Sequence, residues 1–278
     1  EYTYSFYRFI PRQNFWIIKN EPIKFFIYTT PTEVDFDILP SITGKQALIK
    51  ITENAKSKNR ILVVNTDTEF KNDKKTVSSQ NSILQQFENE GYDISWSKTD
   101  NYLIITDKDK IYSYNTDTDS TTLLFKKSTD TLTEDTFPTP WDTDKAGLFY
   151  YLTYTTPDNT DEEKPYYSIT FKSLDGTNTT TLISKIYYWE TREYISKFDD
   201  ELIQRFEPFV NSPQCAQFAG KINSFIINNE AKGVLFKTEY GIYWYDKETE
   251  KYILVNNQPG NFISFAHDNS SFIYSVET

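Results

Sequence analysis

Cysteine occurs once in this chain, at Cys215, so no disulfide can form within it. Histidine also occurs once, at His267. One imidazole cannot build a multi-histidine metal site, and a nucleophile–His–acid triad would hang on it alone. The G-x-S-x-G elbow is missing. Methionine is absent and the chain starts at Glu1, as a mature or excised piece does. No apolar run reaches the length of a membrane-spanning helix. Cations are the minority, 29 Lys and Arg against 40 Asp and Glu, for a net charge of −11. Phosphate binding needs clustered Lys and Arg. Here Lys56, Lys58, Arg60 and the pair Lys74-Lys75 sit among polar residues and read as solvated loop charge. Nucleic acid is therefore not expected as a partner.

Aromatic side chains are abundant: 21 Tyr, 21 Phe and 5 Trp in 278 residues. Tyr and Phe suit a pleated, half-buried surface, and period-2 alternation recurs along the chain while helical periodicity is rare. Strand pairs are expected at 15–30 and 47–69, two more strands at 148–156 and 166–177, and three strands in quick succession at 233–255. Two stretches break the pattern. "SSQNSILQQFENE" (78–90) reads as a short helix or an outer strand. In 190–210, Tyr194, Ile195, Phe198, Leu202, Ile203 and Phe206 recur at helical spacing before Pro208, which predicts an amphipathic helix inserted between β units.

The stretch "ISWSKTDNYLIITDKDKIYSYNTDT" (94–118) is repeated. At an offset of 131, Trp96 falls on Ile227, Leu103-Ile104-Ile105 on Val234-Leu235-Phe236, and Tyr112 and Tyr114 on Tyr243 and Tyr245. At an offset of 45, Trp96 falls on Trp141 and Leu103 on Leu148; at 169, Ile94-Ser95-Trp96 falls on Ile263-Ser264-Phe265. Spacing of about 40–50 residues is the period of propeller blades. A lone four-stranded meander cannot bury both faces, whereas stacked blades can. The expected fold is therefore all-β: a β-propeller of about six four-stranded blades with a short helical insertion. The blades are placed near 1–39, 41–90, 91–130, 131–187, 220–258 and 259–278, and the insertion at 188–219. The chain is read as one propeller domain or part of one. The aromatic segment 2–10 is a candidate to complete the last, truncated blade. A two-layer β-sandwich is the alternative.

The pattern resembles the TolB-like, WD40-like propeller repeat of periplasmic and cell-surface proteins. Trp96-Ser97, Asp100-Asn101, Leu103-Ile104-Ile105 and Ile111-Tyr112-Ser113-Tyr114 match its strand–turn–strand order, and Tyr243-Trp244-Tyr245-Asp246 matches again. Asn101 stands where that repeat has Gly, and Asn tolerates the left-handed conformation such a turn needs. The resemblance implies an extracellular or periplasmic bacterial protein, with the cytoplasm as alternative.

Residues that could carry chemistry have simpler readings. Asn115, Asp117 and Asp119 are spaced as in a calcium loop, but Ser120 and Lys126 replace its Gly and Glu, so a repeated inter-strand turn is expected. The acidic runs 161–163 and 199–201 read as solvated charge, Cys215 as a structural thiol and His267 as a turn residue. Asn178 and Asn269 lie in N-x-[ST] sequons. No catalytic residue, metal ligand or cofactor site is assigned. One local feature stands out, the consecutive Tyr187, Tyr188 and Trp189. They either pack the insertion onto the ring or form an exposed anchor for a partner, since aromatics are enriched in interface hot spots. The expected function is a non-enzymatic scaffold binding a protein or cell-envelope component. The alternative is the substrate-gating propeller of a larger prolyl-oligopeptidase-like hydrolase whose catalytic domain lies outside this chain.

Overall fold

A computed structural model describes residues 1–14, 17–53, 58–67, 82–107, 109–127, 140–155, 166–189, 215–219, 222–228, 230, 232–238, 241–249, 251–256, 260–265 and 271–276. These residues form six sheets in chain order and one helix. The first sheet is the hairpin β1 (Tyr2–Asn14) and β2 (Ile17–Thr30). The second holds β3 (Val34–Pro40), β4 (Gln46–Glu53) and β5 (Lys58–Asn65), followed by α1 (Ser82–Asn89). The third is the meander β6 (Asp93–Trp96), β7 (Tyr102–Thr106), β8 (Lys110–Asn115) and β9 (Ser120–Lys126). The fourth has five strands: β10 (Trp141–Thr143), β11 (Leu148–Thr155), β12 (Tyr166–Ser173), β13 (Thr179–Trp189) and β14 (Cys215–Ala219). The fifth is the meander β15 (Ile222–Ile227), β16 (Gly233–Thr238), β17 (Ile242–Asp246) and β18 (Lys251–Asn256). The last is the hairpin β19 (Gly260–Phe265) and β20 (Phe272–Val276). The hairpins β1–β2 and β19–β20 and the successive pairs β3–β4–β5, β6–β7–β8, β10–β11–β12–β13 and β15–β16–β17–β18 are antiparallel, whereas β13 pairs with β14 in parallel. The chain divides into two compact units, Glu1–Leu123 and Leu124–Thr278.

In the first unit, β4 and β5 are buried on both faces, and their apolar residues are consecutive rather than alternating. Ala47, Ile49 and Ile51 pack with Leu62 and Val64 against Phe25 and Phe26 of β2. Leu48, Ile61 and Val63 point the other way and pack with Leu84 of α1 and with Leu103, Ile105 and Tyr114. Each fully buried Leu or Ile side chain contributes about 1.5–3 kcal/mol. The second unit repeats the scheme. Val234 and Phe236 of β16 face Tyr150, Leu152 and Ile169, whereas Leu235 faces the other way, beside Trp244, Phe265 and Phe272. A two-layer sandwich leaves one face of each sheet toward solvent. Inner sheets with two buried faces, stacked in chain order within each unit, are the propeller kind of all-β fold.

The offset of 131 holds down to single pairs. Trp96↔Leu103 and Leu103↔Tyr114 in one meander become Ile227↔Val234 and Val234↔Tyr245 in the other. The offset of 45 does not hold in register. Trp141 pairs with Tyr151, not Leu148, and Tyr150 rather than Phe149 lies on the face that meets the next sheet. The turn differs as well. Four residues separate Ser97 from Tyr102, whose backbones are hydrogen-bonded, and three separate the equivalent pair Asp144 and Leu148. The pairing differs by three residues, and a shift by an odd number of residues turns every side chain to the other face.

Of the two stretches that break the strand pattern, 82–89 is the helix α1. Its Gln85 side chain sits against β5 as a strand would: Nε2 donates to the Asn59 carbonyl at 2.7 Å, and the Ile61 N–H donates to Oε1 at 3.3 Å. Lys50 reaches Glu88 of the same helix at 3.6 Å. The amphipathic segment 190–210 lies outside the described residues. The flanks of the expected insertion are strand, 188–189 in β13 and 215–219 in β14.

Candidate functional site

Tyr187, Tyr188 and Trp189 are the last residues of β13. Pairing with β12 ends at Tyr167↔Ile186, and these three continue in parallel pairing with β14, opposite Gln217, Phe218 and Ala219. The sequence treats them as a junction between blade and insertion. The structure places their backbone in the sheet. Cys215 opens β14 opposite Lys185. His267, Asn269 and the acidic runs 161–163 and 199–201 lie outside the described residues.

The Asp-rich turn after β8 holds its oxygens on local donors. Asn115 Oδ1 accepts the N–H groups of Asp117 at 2.9 Å and Thr118 at 3.2 Å. Asp117 Oδ2 accepts from the Asn101 amide at 2.7 Å, and Asp119 Oδ1 accepts the Tyr114 hydroxyl at 2.6 Å. Asp246 makes the same turn in the fifth sheet, accepting from the N–H groups of Glu248 and Thr249. Asn65 Oδ1 accepts from Asp67 in the second. The resemblance of 115–119 to a cation loop therefore comes from recurring strand-end geometry. Asn101 has φ +69°, the conformation expected where the repeat has Gly.

A second set of polar groups is buried at the turn that enters the second strand of a sheet. Ser41, Ser97, Asp144 and Asn228 stand there, each almost fully buried. Their side-chain oxygens accept the backbone N–H of Gln46, Thr99, Leu148 and Glu230 respectively. Asp144 also accepts the Tyr150 hydroxyl at 2.9 Å. Burial first, then the neighbouring carboxylate, pushes the phenol of Tyr150 well above its ordinary range, and the same two causes act on Tyr114 beside Asp119.

Polar contacts also join neighbouring sheets. In the first unit the indole N–H of Trp96 donates to the Leu39 carbonyl at 2.7 Å, and Thr43 donates to Asp100 at 2.7 Å. Trp96 thus packs between two sheets and is hydrogen-bonded across them. In the second unit Asp142 Oδ2 accepts the Ile227 N–H at 2.7 Å, linking β10 to β15. Sequence reading passed over Asp142. Its signal is an acidic residue within a strand, where Asp is depleted.

Among the described residues, the most exposed aromatics lie on β1. Tyr7 and Phe9 are 47% and 65% exposed on the face opposite Phe6, which packs inward. Lys24 sits 5.6 Å from the Tyr7 ring centroid. This segment, expected to close the last blade, is paired here with β2.

No family profile and no curated protein sequence matches the chain. Among solved structures it is similar to an oligogalacturonate lyase in complex with manganese, at 10% identity and TM-score 0.48, over 98% of this chain and 66% of that one. It is similar to TolB from Acinetobacter baumannii at 9% identity and TM-score 0.42, over 94% of this chain and 52% of TolB. Dipeptidyl peptidase 4 from Porphyromonas gingivalis is similar at 11% identity and TM-score 0.42, over 88% of this chain and 37% of the peptidase. The chain thus spans about two thirds of the lyase, half of TolB and over a third of the peptidase. At these identities the likeness is one of fold.

Proposed function

We propose that this chain is a non-enzymatic β-propeller that acts as an interaction scaffold for another protein or a cell-envelope component, outside the cytoplasm. The observation that carries the reading is the engagement of its acidic and amide groups. Asn115, Asp117, Asp119, Asp142, Asp144 and Asn228 each accept a hydrogen bond that fixes a turn or ties two sheets. Groups that would otherwise suggest chemistry are thereby committed to architecture. No helix among the described residues is long and apolar enough to cross a membrane.

The anchor for the partner is proposed at Tyr187, Tyr188 and Trp189. Large aromatics dominate interface energetics when they fill a partner's pocket. The test is quantitative cross-linking mass spectrometry in the source cell, comparing wild type with Tyr187→Ser and Trp189→Ser chains of equal abundance. Loss of a defined cross-linked partner in either variant supports the reading. An unchanged partner set contradicts the anchor. Peptidase activity that co-purifies with a catalytic segment of the same gene contradicts the scaffold.

A further inference from the structure

We propose that Asp175-Gly176 is a latent isoaspartate site, held closed by the turn that contains it. It is the single Asp-Gly pair in the sequence. The pair lies in the exposed turn between β12 and β13, where Gly176 has φ +78°. In an unconstrained chain, the Gly nitrogen after an Asp attacks the side-chain carboxyl carbon. A nitrogen–carbon bond forms, the carboxyl hydroxyl leaves as water, and a cyclic imide results. Water then adds to the main-chain carbonyl of the ring and breaks its bond to that nitrogen. The chain now runs through the side chain, with one water lost and one regained. Glycine favours the step because no side chain shields its nitrogen.

Here both reacting groups are occupied. Asp175 Oδ1 accepts from Ser173 Oγ at 2.5 Å, from Thr177 Oγ1 at 2.8 Å and from the Thr177 N–H at 3.0 Å. The nucleophilic nitrogen of Gly176 has its N–H donated to the Ser173 carbonyl at 2.8 Å. The carboxylate is thus fixed toward Ser173 and Thr177 while the nitrogen is turned back into the turn. The same bonds hold the Asp175 carboxyl below its ordinary range, with the Ser173 hydroxyl the largest cause, which depletes the neutral acid that can lose hydroxide as water. The turn is therefore a clamp on a reactive dipeptide. Opening it, by local unfolding or by a partner that pulls β13 away, exposes a slow covalent clock.

The test is incubation at neutral pH followed by trypsin digestion and mass spectrometry able to resolve isoaspartate. Cleavage after Lys172 and Lys185 isolates residues 173–185, in which Asp175 is the one Asp. Conversion of Asn178 in the same peptide is told apart by its mass change. Native wild type is expected to form isoaspartate at least about tenfold more slowly than the same chain in urea, the rate equivalent of one hydrogen bond to a charged group. Ser173→Ala with Thr177→Val, in a chain whose circular dichroism is unchanged, is expected to form it several-fold faster than native wild type. Equal rates in native and urea-unfolded wild type would overturn the proposal, and this comparison does not depend on any variant folding. A folded double variant no faster than wild type would overturn it as well.

Discussion

Gly233→Ala acts where two paired strands leave least room. Gly233 opens β16 and pairs with Asp246 of β17, while the Trp244 side chain lies across it. A Cβ at this position falls 2.2 Å from two ring carbons of Trp244 and 2.6 Å from the Tyr245 carbonyl oxygen. The ring can turn, but the carbonyl belongs to the backbone of β17, so the strand pair must shift. Overpacking of this kind costs about 1–3 kcal/mol. Trp244 also covers Leu235 and Ile242 on the face toward the last hairpin, so turning the ring loosens that packing too. Trp244→Leu removes the ring and leaves the carbonyl contact. The double variant is therefore expected to lose less than the sum of the single losses, with a coupling of about 0.5–3 kcal/mol. Urea unfolding followed by far-ultraviolet circular dichroism measures all four corners without relying on Trp244 fluorescence. A loss below about 0.5 kcal/mol for Gly233→Ala, the range of ordinary surface changes, or strictly additive losses, would show that this packing is not as described.

Asp142→Ala removes the acceptor of the Ile227 N–H between β10 and β15. It is expected to cost about 1.5–3 kcal/mol, with Asp142→Asn costing less because the amide oxygen still accepts; chemical unfolding of the two variants decides. The phenols of Tyr114 and Tyr150 are raised above their ordinary value of 10.0. Their folded-state protons are held more tightly than those of the unfolded chain, so this contribution to stability is complete below pH about 10 and is lost as pH rises beyond it. A spectrophotometric titration is expected to show at least these two tyrosines ionising only as the chain unfolds. Full ionisation of all phenols in a chain that stays folded at that pH would contradict their burial.

How much of this was legible in the sequence depends on what each strand buries. The 131-residue offset was readable because both copies have four turn residues between the first two strands, so a gap-free comparison finds them in register. The 45-residue offset misled by three positions in the pairing, with Trp141 opposite Tyr151 rather than Leu148. Leu148-Phe149-Tyr150 is apolar throughout, because both faces of its sheet are covered, and such a run carries no alternation from which register can be read. The register of β10 on β11 was therefore hidden. Helix α1 was ambiguous because eight residues with Ile83, Leu84 and Phe87 fit one helical face or an outer strand. The parallel pairing of β13 with β14 was not legible. Parallel partners are far apart in sequence, and nothing local marks the two ends as partners. Tyr187, Tyr188 and Trp189 stood out by composition alone, and their place at the end of a paired strand is set by β14. The structural role of Asp142 depends on Ile227, 85 residues away, and no local pattern encodes it.

Residue-resolved hydrogen exchange tests the stacked-sheet architecture most directly. β4 pairs with β3 on one edge and β5 on the other, and its two faces are both buried. Within the first unit, the amides of Leu48, Ile49 and Ile51 are expected to exchange slowest and to report the opening of that unit as a whole. The amides of β1 that point away from β2 are expected to exchange far faster. Fast exchange across β4, at the level of β1, would mean that this sheet has an open face, and the stacking described here would be wrong.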